Sequence, residues 1–141
     1  MKRTGKANWN GDLQTGLGVL TSQSGILNAT PYSFKTRFGD GNGTNPEELL
    51  ATAHAGCFTM SVSLVVGEAG FKAGNLHTEA VLELDMQRLQ ITGIQLNLVA
   101  EQIAGLSEPN FNELVEVAKS KCILSNALSV PIAVSVVYEA G

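Results

Sequence analysis

At 141 residues, with 44% hydrophobic residues, two cysteines and a formal net charge of −4, the chain has the size of one modest domain able to bury a core. Its acidity and the lack of any Lys/Arg cluster argue against nucleic acid or an anionic membrane surface as the main partner. Met1-Lys2-Arg3 is followed by glycine and polar residues instead of an apolar run, so no secretory signal is read and the cytoplasm is the expected compartment.

Residues 4–9 and 15–22 alternate loosely around an Asn10-Gly11-Asp12 turn and predict a hairpin. A further extended piece is expected over 32–38, running into the glycine-rich loop 39–43, with Arg37 just before it. The long helix that follows is well signalled. Asn45 or Thr44 suits the N-cap, Pro46 the first turn, and Glu47 and Glu48 the positive end of the helix dipole, while Gly67 and Gly70 mark its end.

Between residues 49 and 66 the apolar side chains keep to no single face, and a helix of that kind has to be buried, in a bilayer or in protein. The length permits a membrane span. Against it stand His54, Thr52, Thr59, Ser61 and Ser63 inside the run, acidic residues at both ends and no basic flank. A core helix packed on several sides is the better account, with Ala51, Ala53, Ala55 and Gly56 small enough to admit another backbone closely, including that of a second subunit.

Downstream, 76–86 alternates as a half-buried strand, with Leu76, Ala80, Leu82, Leu84 and Met86 inward, and pairs across a turn near Gln87-Arg88 with the run carrying Ile94, Leu96 and Leu98. Residues 107–121 predict a second helix with Pro109 in its first turn and Phe111, Leu114, Val115 and Ala118 as its stripe. Cys122 follows directly, then a short helical turn through Leu128 and a final strand over 131–138. No repeat or linker divides the chain, so the reading is one α+β domain over 1–141, antiparallel sheets around a long buried central helix.

Cys57 and Cys122 are too far apart for a local motif and too few for a disulfide-stapled scaffold. By residue type alone they are two buried structural thiols or a working redox couple, the first being the commoner case. A reactive thiol needs its anion stabilised. Cys57 lies about three turns inside its helix, beyond the reach of the dipole, so a cation has to come from elsewhere in the fold. Arg37 is the best candidate, since its charge cannot be lost, although an arginine at a strand end is ordinarily just exposed.

The segment PYSFKTRFGDGNGTNPEELLATAHAGCFTMSVSLVVGEAGF, with ANWNGD before it and a downstream helix running into Cys122, resembles the OsmC branch of the OsmC/Ohr family of organic hydroperoxide peroxidases over essentially the whole chain. The most specific feature is NPEELL placed ten residues before the AHAGCF cysteine. The resemblance implies a cysteine-based peroxidase without cofactor or metal, an intertwined homodimer with two sites at the subunit interface, a role in the stress response, and reduction by an external dithiol, typically a lipoylated protein. It implies Cys57 as the peroxidatic cysteine, Cys122 as the resolving cysteine that closes a disulfide with it, Arg37 as the activating arginine and Glu47 as the carboxylate that holds Arg37. One departure is visible: the family usually has proline directly after its second cysteine, and here Ile123 stands there, while Ser125 keeps its place.

Phe58, Met60 and Phe38 are candidate walls for the apolar tail of an organic hydroperoxide, or plain core. Glu47 and Cys57 are ten residues apart on one helix, about 15 Å along its axis. They cannot share a site within one straight helix unless long side chains bridge that gap; if the arginine–glutamate pair must touch the thiolate, antiparallel pairing of two such helices about a two-fold axis would bring Glu47 of one subunit near Cys57 of the other. Two other classes compete. His54, three residues before Cys57, invites a Cys–His hydrolase or transferase, with no orienting third group apparent. A non-catalytic binding protein with structural cysteines is the other. Metal binding through Cys57, His54, Cys122 and His77 lacks the close ligand spacing of a zinc site.

Overall fold

The structure is a computed structural model that describes all 141 residues. The element order is β1 (Gly5–Asn10), β2 (Leu17–Ser22), β3 (Thr30–Tyr32), α1 (Phe34–Phe38), α2 (Pro46–Glu68), β4 (Leu76–Asp85), β5 (Gln90–Glu101), α3 (Glu108–Lys121), α4 (Ile123–Ala127) and β6 (Ile132–Glu139). It is the expected α+β architecture of two three-stranded sheets and a long central helix. The chain falls into two compact units, Met1–Leu49 and Leu50–Gly141. Their boundary lies inside α2, which is why no linker composition marks it in the sequence.

In the first unit β1, β2 and β3 form an antiparallel meander. The segment read as extended over 32–38 divides. Only its start belongs to β3, and the rest is the short helix α1. The cause is local: the Ser33 hydroxyl accepts from the Thr36 amide at 3.2 Å while the Thr36 hydroxyl accepts from the Ser33 amide at 2.8 Å, a reciprocal cap that closes one helical turn. The entry to α2 is capped by Asn45, whose side-chain oxygen accepts from the Glu48 amide at 2.8 Å.

In the second unit β4 and β5 pair antiparallel as the alternation predicts, with Leu76, Ala80, Leu82 and Leu84 turned inward. Met86 lies past the strand end and is 50% exposed. The sheet is not antiparallel throughout, because β6 joins β5 in parallel. A parallel neighbour demands a long crossover, and α3 with α4 supplies it. One core results, drawn from Phe58, Val62, Val65 and Val66 of α2, the inward face of β5, and Phe111, Val115 and Ala118 of α3, with Cys122 at its edge.

Although α2 is long and apolar enough to cross a bilayer, its Phe58–Val66 face belongs to this core. Within one chain α2 is covered on part of its surface, and a side that a second subunit could cover is open. Ala53, Gly56, Met60, Leu64 and Gly67 form an uncovered stripe on the opposite side, with Met60 75% and Leu64 55% exposed. Phe58 has no exposed surface. Phe58→Ala is expected to lower the unfolding free energy by about 3–5 kcal/mol, measured by urea denaturation; a loss below about 1 kcal/mol would contradict this placement of the core.

Candidate active site

The candidate residues come together as two pairs, one in each unit. In the first, the N-cap of α2 sets which of its two glutamates faces α1. Arg37 donates from Nη2 to Glu47 Oε1 at 2.8 Å and from Nε to Oε1 and Oε2 at 3.0 and 3.3 Å. Glu48 instead accepts from the Thr44 hydroxyl at 2.6 Å. A carboxylate gripping one edge of a guanidinium fixes its plane. The Arg37 side chain keeps 41% of its surface exposed, so the charge remains open to an anion. Arg37 and Phe38, with Trp9, Leu13, Tyr32 and Phe34, line a cavity of about 220 Å³ with mainly aromatic walls. Of the three apolar residues singled out in the sequence, only Phe38 borders this cavity; Phe58 is core and Met60 lies on the open side of α2.

In the second unit the two cysteines meet. Cys122 ends α3 and opens α4 and is fully buried, Cys57 is half-buried on α2, both are free thiols, and their sulfurs lie 3.4 Å apart. A disulfide requires about 2.05 Å, so closure needs little more than an ångström of approach. Burial pushes the Cys57 thiol above its ordinary value; the main-chain amides of Leu124 and, less strongly, Ile123 draw it back down, and the neighbouring Cys122 adds to the rise. These amides at the start of α4 are donors that the sequence reading missed, because nothing in the spacing brings α4 to α2. They are exposed to such use because the Cys122 side chain does not cap α4 itself.

His54 is not offered as a base. It is fully buried, its Nε2 is 2.7 Å from Ser125 Oγ, and burial lowers its pKa, which makes the ring a poor proton acceptor. His77 is exposed on β4, and no three of the chain's His, Cys, Asp and Glu side chains gather as metal ligands.

This arrangement, two apposed thiols between a long core helix and a short crossover helix in an α+β fold, defines a thiol-pair protein. The family model described as OsmC-like protein matches residues 39–137, and the chain belongs to that family. It is 39% identical over 131 residues to Peroxiredoxin OsmC of Escherichia coli (strain K12), covering 92% of each chain. Among solved structures it is similar to the organic hydroperoxide resistance protein OhrB of Bacillus subtilis, with a TM-score of 0.66 and 23% identity over 96% of this chain and 98% of that one. An OsmC-like protein from Mycoplasma pneumoniae matches with a TM-score of 0.76 at 16% identity, over 98% and 97% of the two chains. Both structures share the fold.

Ile123, where the family resemblance leads one to expect proline, has a structural consequence. Proline has no amide hydrogen, so it would remove the Ile123 amide, the weakest of the influences on the Cys57 thiol, which helps to lower its pKa. The site would accept the change: Cys122 is extended at φ −68° and ψ 115°, as a residue before proline should be, Ile123 is the first residue of α4, and its side chain is 76% exposed. Ile123→Pro is therefore expected to slow alkylation of Cys57 by iodoacetamide at neutral pH by about twofold to tenfold, the range for one ordinary hydrogen bond of about 0.5–1.5 kcal/mol, followed by peptide mass spectrometry. An unchanged rate would show that the Ile123 amide does not support the thiolate.

Proposed function

We propose that the chain is a thiol-dependent peroxidase that reduces organic hydroperoxides, and hydrogen peroxide more weakly, through a Cys57–Cys122 couple. The observation that carries this reading is the 3.4 Å approach of two free thiols, one on α2 and one at the junction of α3 and α4. The similarity to Peroxiredoxin OsmC over nearly the full length of both chains supports it. In the proposed cycle the Cys57 thiolate attacks the terminal peroxide oxygen. The O–O bond breaks, the departing alkoxide takes up a proton and leaves as an alcohol, and the transferred oxygen remains on sulfur as a sulfenic acid. The Cys122 thiol then condenses with it, forming the S–S bond and releasing water. An external dithiol, a lipoylated protein in this reading, returns two electrons and two protons.

Arg37 has the proposed role of holding the Cys57 thiolate and the peroxide, with Glu47 fixing its plane. Burial works against the Cys57 anion, and two amides only partly offset it, so a full positive charge is what the site lacks within the second unit. Glu47 and Cys57 stand ten residues apart along α2, about 15 Å. We therefore assign the cation at each Cys57 to a second copy of the chain. The uncovered stripe of Ala53, Gly56, Met60 and Leu64 suits close contact between two such helices, and the aromatic cavity beside Arg37 suits the substrate's apolar tail. An intertwined homodimer of single OsmC-like domains, cytoplasmic and serving the stress response, completes the proposal. The hydrolase alternative loses its support, since the His54 nitrogen nearest another side chain is bonded to Ser125.

Titration of the reduced protein with cumene hydroperoxide is expected to consume two thiols per oxidant and to yield the Cys57-to-Cys122 peptide under non-reducing mass spectrometry. Cys57→Ser should abolish the reaction and Arg37→Ala should slow it at least a hundredfold, the scale for removing an oriented charge from a reacting anion. Survival of both thiols in excess peroxide would remove the peroxidase reading.

A further inference from the structure

His54 is the buried titratable group that this chemistry does not use. It sits on α2 one turn before Cys57, with no exposed surface, and makes one side-chain contact, Nε2 to Ser125 Oγ at 2.7 Å, while Nδ1 has no partner. A buried ring nitrogen without a partner costs stability, and an apolar side chain would fill the same space without that cost. With Nδ1 bare, the tautomer that leaves no buried N–H unpaired carries its hydrogen on Nε2 and donates it to the Ser125 hydroxyl. Ser125 is the third residue of α4, three positions after Cys122.

Besides the 54–125 bond, the helix that Ser125 belongs to is held by Leu124 packing against the core and by the Asn126 side-chain amide donating to the Ser120 carbonyl of α3 at 2.9 Å. α4 has five residues and starts without a side-chain cap from Cys122, where the main chain breaks from α3 through an extended residue. Helices that short are not stable by themselves. α3 is tied to α2 separately, by the Ser61 hydroxyl donating to the Ala118 carbonyl at 2.7 Å. The 54–125 bond is the corresponding tie for the segment that begins at Cys122.

Building on the two-cysteine reading above, we propose that His54 and Ser125 are positioning residues for the resolving step: their hydrogen bond pins the start of α4 to α2 and thereby keeps the Cys122 sulfur within reach of oxidised Cys57. Resolution forms the Cys57–Cys122 bond and releases water, and its rate depends on how much of the time the two sulfurs are aligned. Peroxide attack on Cys57 needs no such alignment of Cys122, and it draws on the start of α4 only through the partial help of the Leu124 and Ile123 amides. The bond therefore acts on the second step much more than on the first, and leaves less time for the sulfenic acid to be oxidised further.

The test is rapid-quench oxidation with cumene hydroperoxide, with the Cys57 sulfenic acid trapped by dimedone and the disulfide counted by non-reducing mass spectrometry. In Ser125→Ala and His54→Leu, disulfide closure is expected to fall about tenfold, with sulfenic acid formation within threefold of wild type and dimedone adduct accumulating. Ser125→Thr, which keeps the hydroxyl, and His54→Gln, whose amide nitrogen matches Nε2, should restore closure to within threefold. The two disruptive changes combined should be no worse than either alone. Closure unchanged in Ser125→Ala, or slowed equally in the conservative variants, would overturn the inference while leaving the peroxidase intact. A wild-type protein that forms neither species would remove the two-cysteine reading, and this inference with it.

Discussion

One face of α2 has to be kept from water, and the second unit is built to do that. Phe58, Val62, Val65 and Val66 leave almost no surface exposed, and β5, α3 and the Cys122 junction share their core. Burial of this kind is the dominant favourable contribution to folding, so the register of α2 against its neighbours is strongly determined. Cys57 precedes Phe58 and inherits that register. The short distance to Cys122 is thus a consequence of core packing: the side chain that anchors the helix and the side chain proposed to meet peroxide are adjacent.

The same burial sets the electrostatic problem. A thiol turned toward an apolar core resists ionisation, and the amides of Leu124 and Ile123 only partly relieve it. A permanent cation is the remedy proposed above, and the first unit holds a candidate, Arg37 gripped along one edge by Glu47 and left partly open on the rest. Supplying that charge from a second copy, as proposed, would make the complete site a property of two chains. The exposed small-residue and Met60–Leu64 side of α2 is where such an assembly would hide apolar surface.

What could be read from sequence was local. The cap and first turn of α2, its glycine end at Gly70 with φ +87°, and the alternation of β4 and β5 all follow from neighbouring residues, and the structure has them. α1 was misread because its capping partner is Thr36 where the usual pattern has Glu or Gln, leaving the aromatic residues around it to suggest a strand. The parallel direction of β6 was not legible, because alternation specifies which side chains face inward and says nothing of strand direction. Nor did residue spacing reveal the Cys57–Cys122 apposition or the His54–Ser125 bond, which join positions 65 and 71 residues apart. The first is implied by the family resemblance alone, and the second is visible only in the packed structure. Glu47 was distinguished from Glu48 by resemblance; the geometry gives the reason, since Thr44 and the N-cap turn Glu48 elsewhere.

The central claim is that each Cys57 depends on the Arg37 of another copy, and subunit mixing addresses it directly. Cys57→Ser and Arg37→Ala chains carrying different tags would be co-expressed, and the mixed dimer isolated and assayed for peroxide reduction. If the cation is supplied across the interface, the mixed dimer holds one complete site and should recover about half the wild-type rate per dimer, although both parent homodimers are defective. A mixed dimer no more active than the Arg37→Ala parent would show that each chain relies on its own arginine, and would contradict the account.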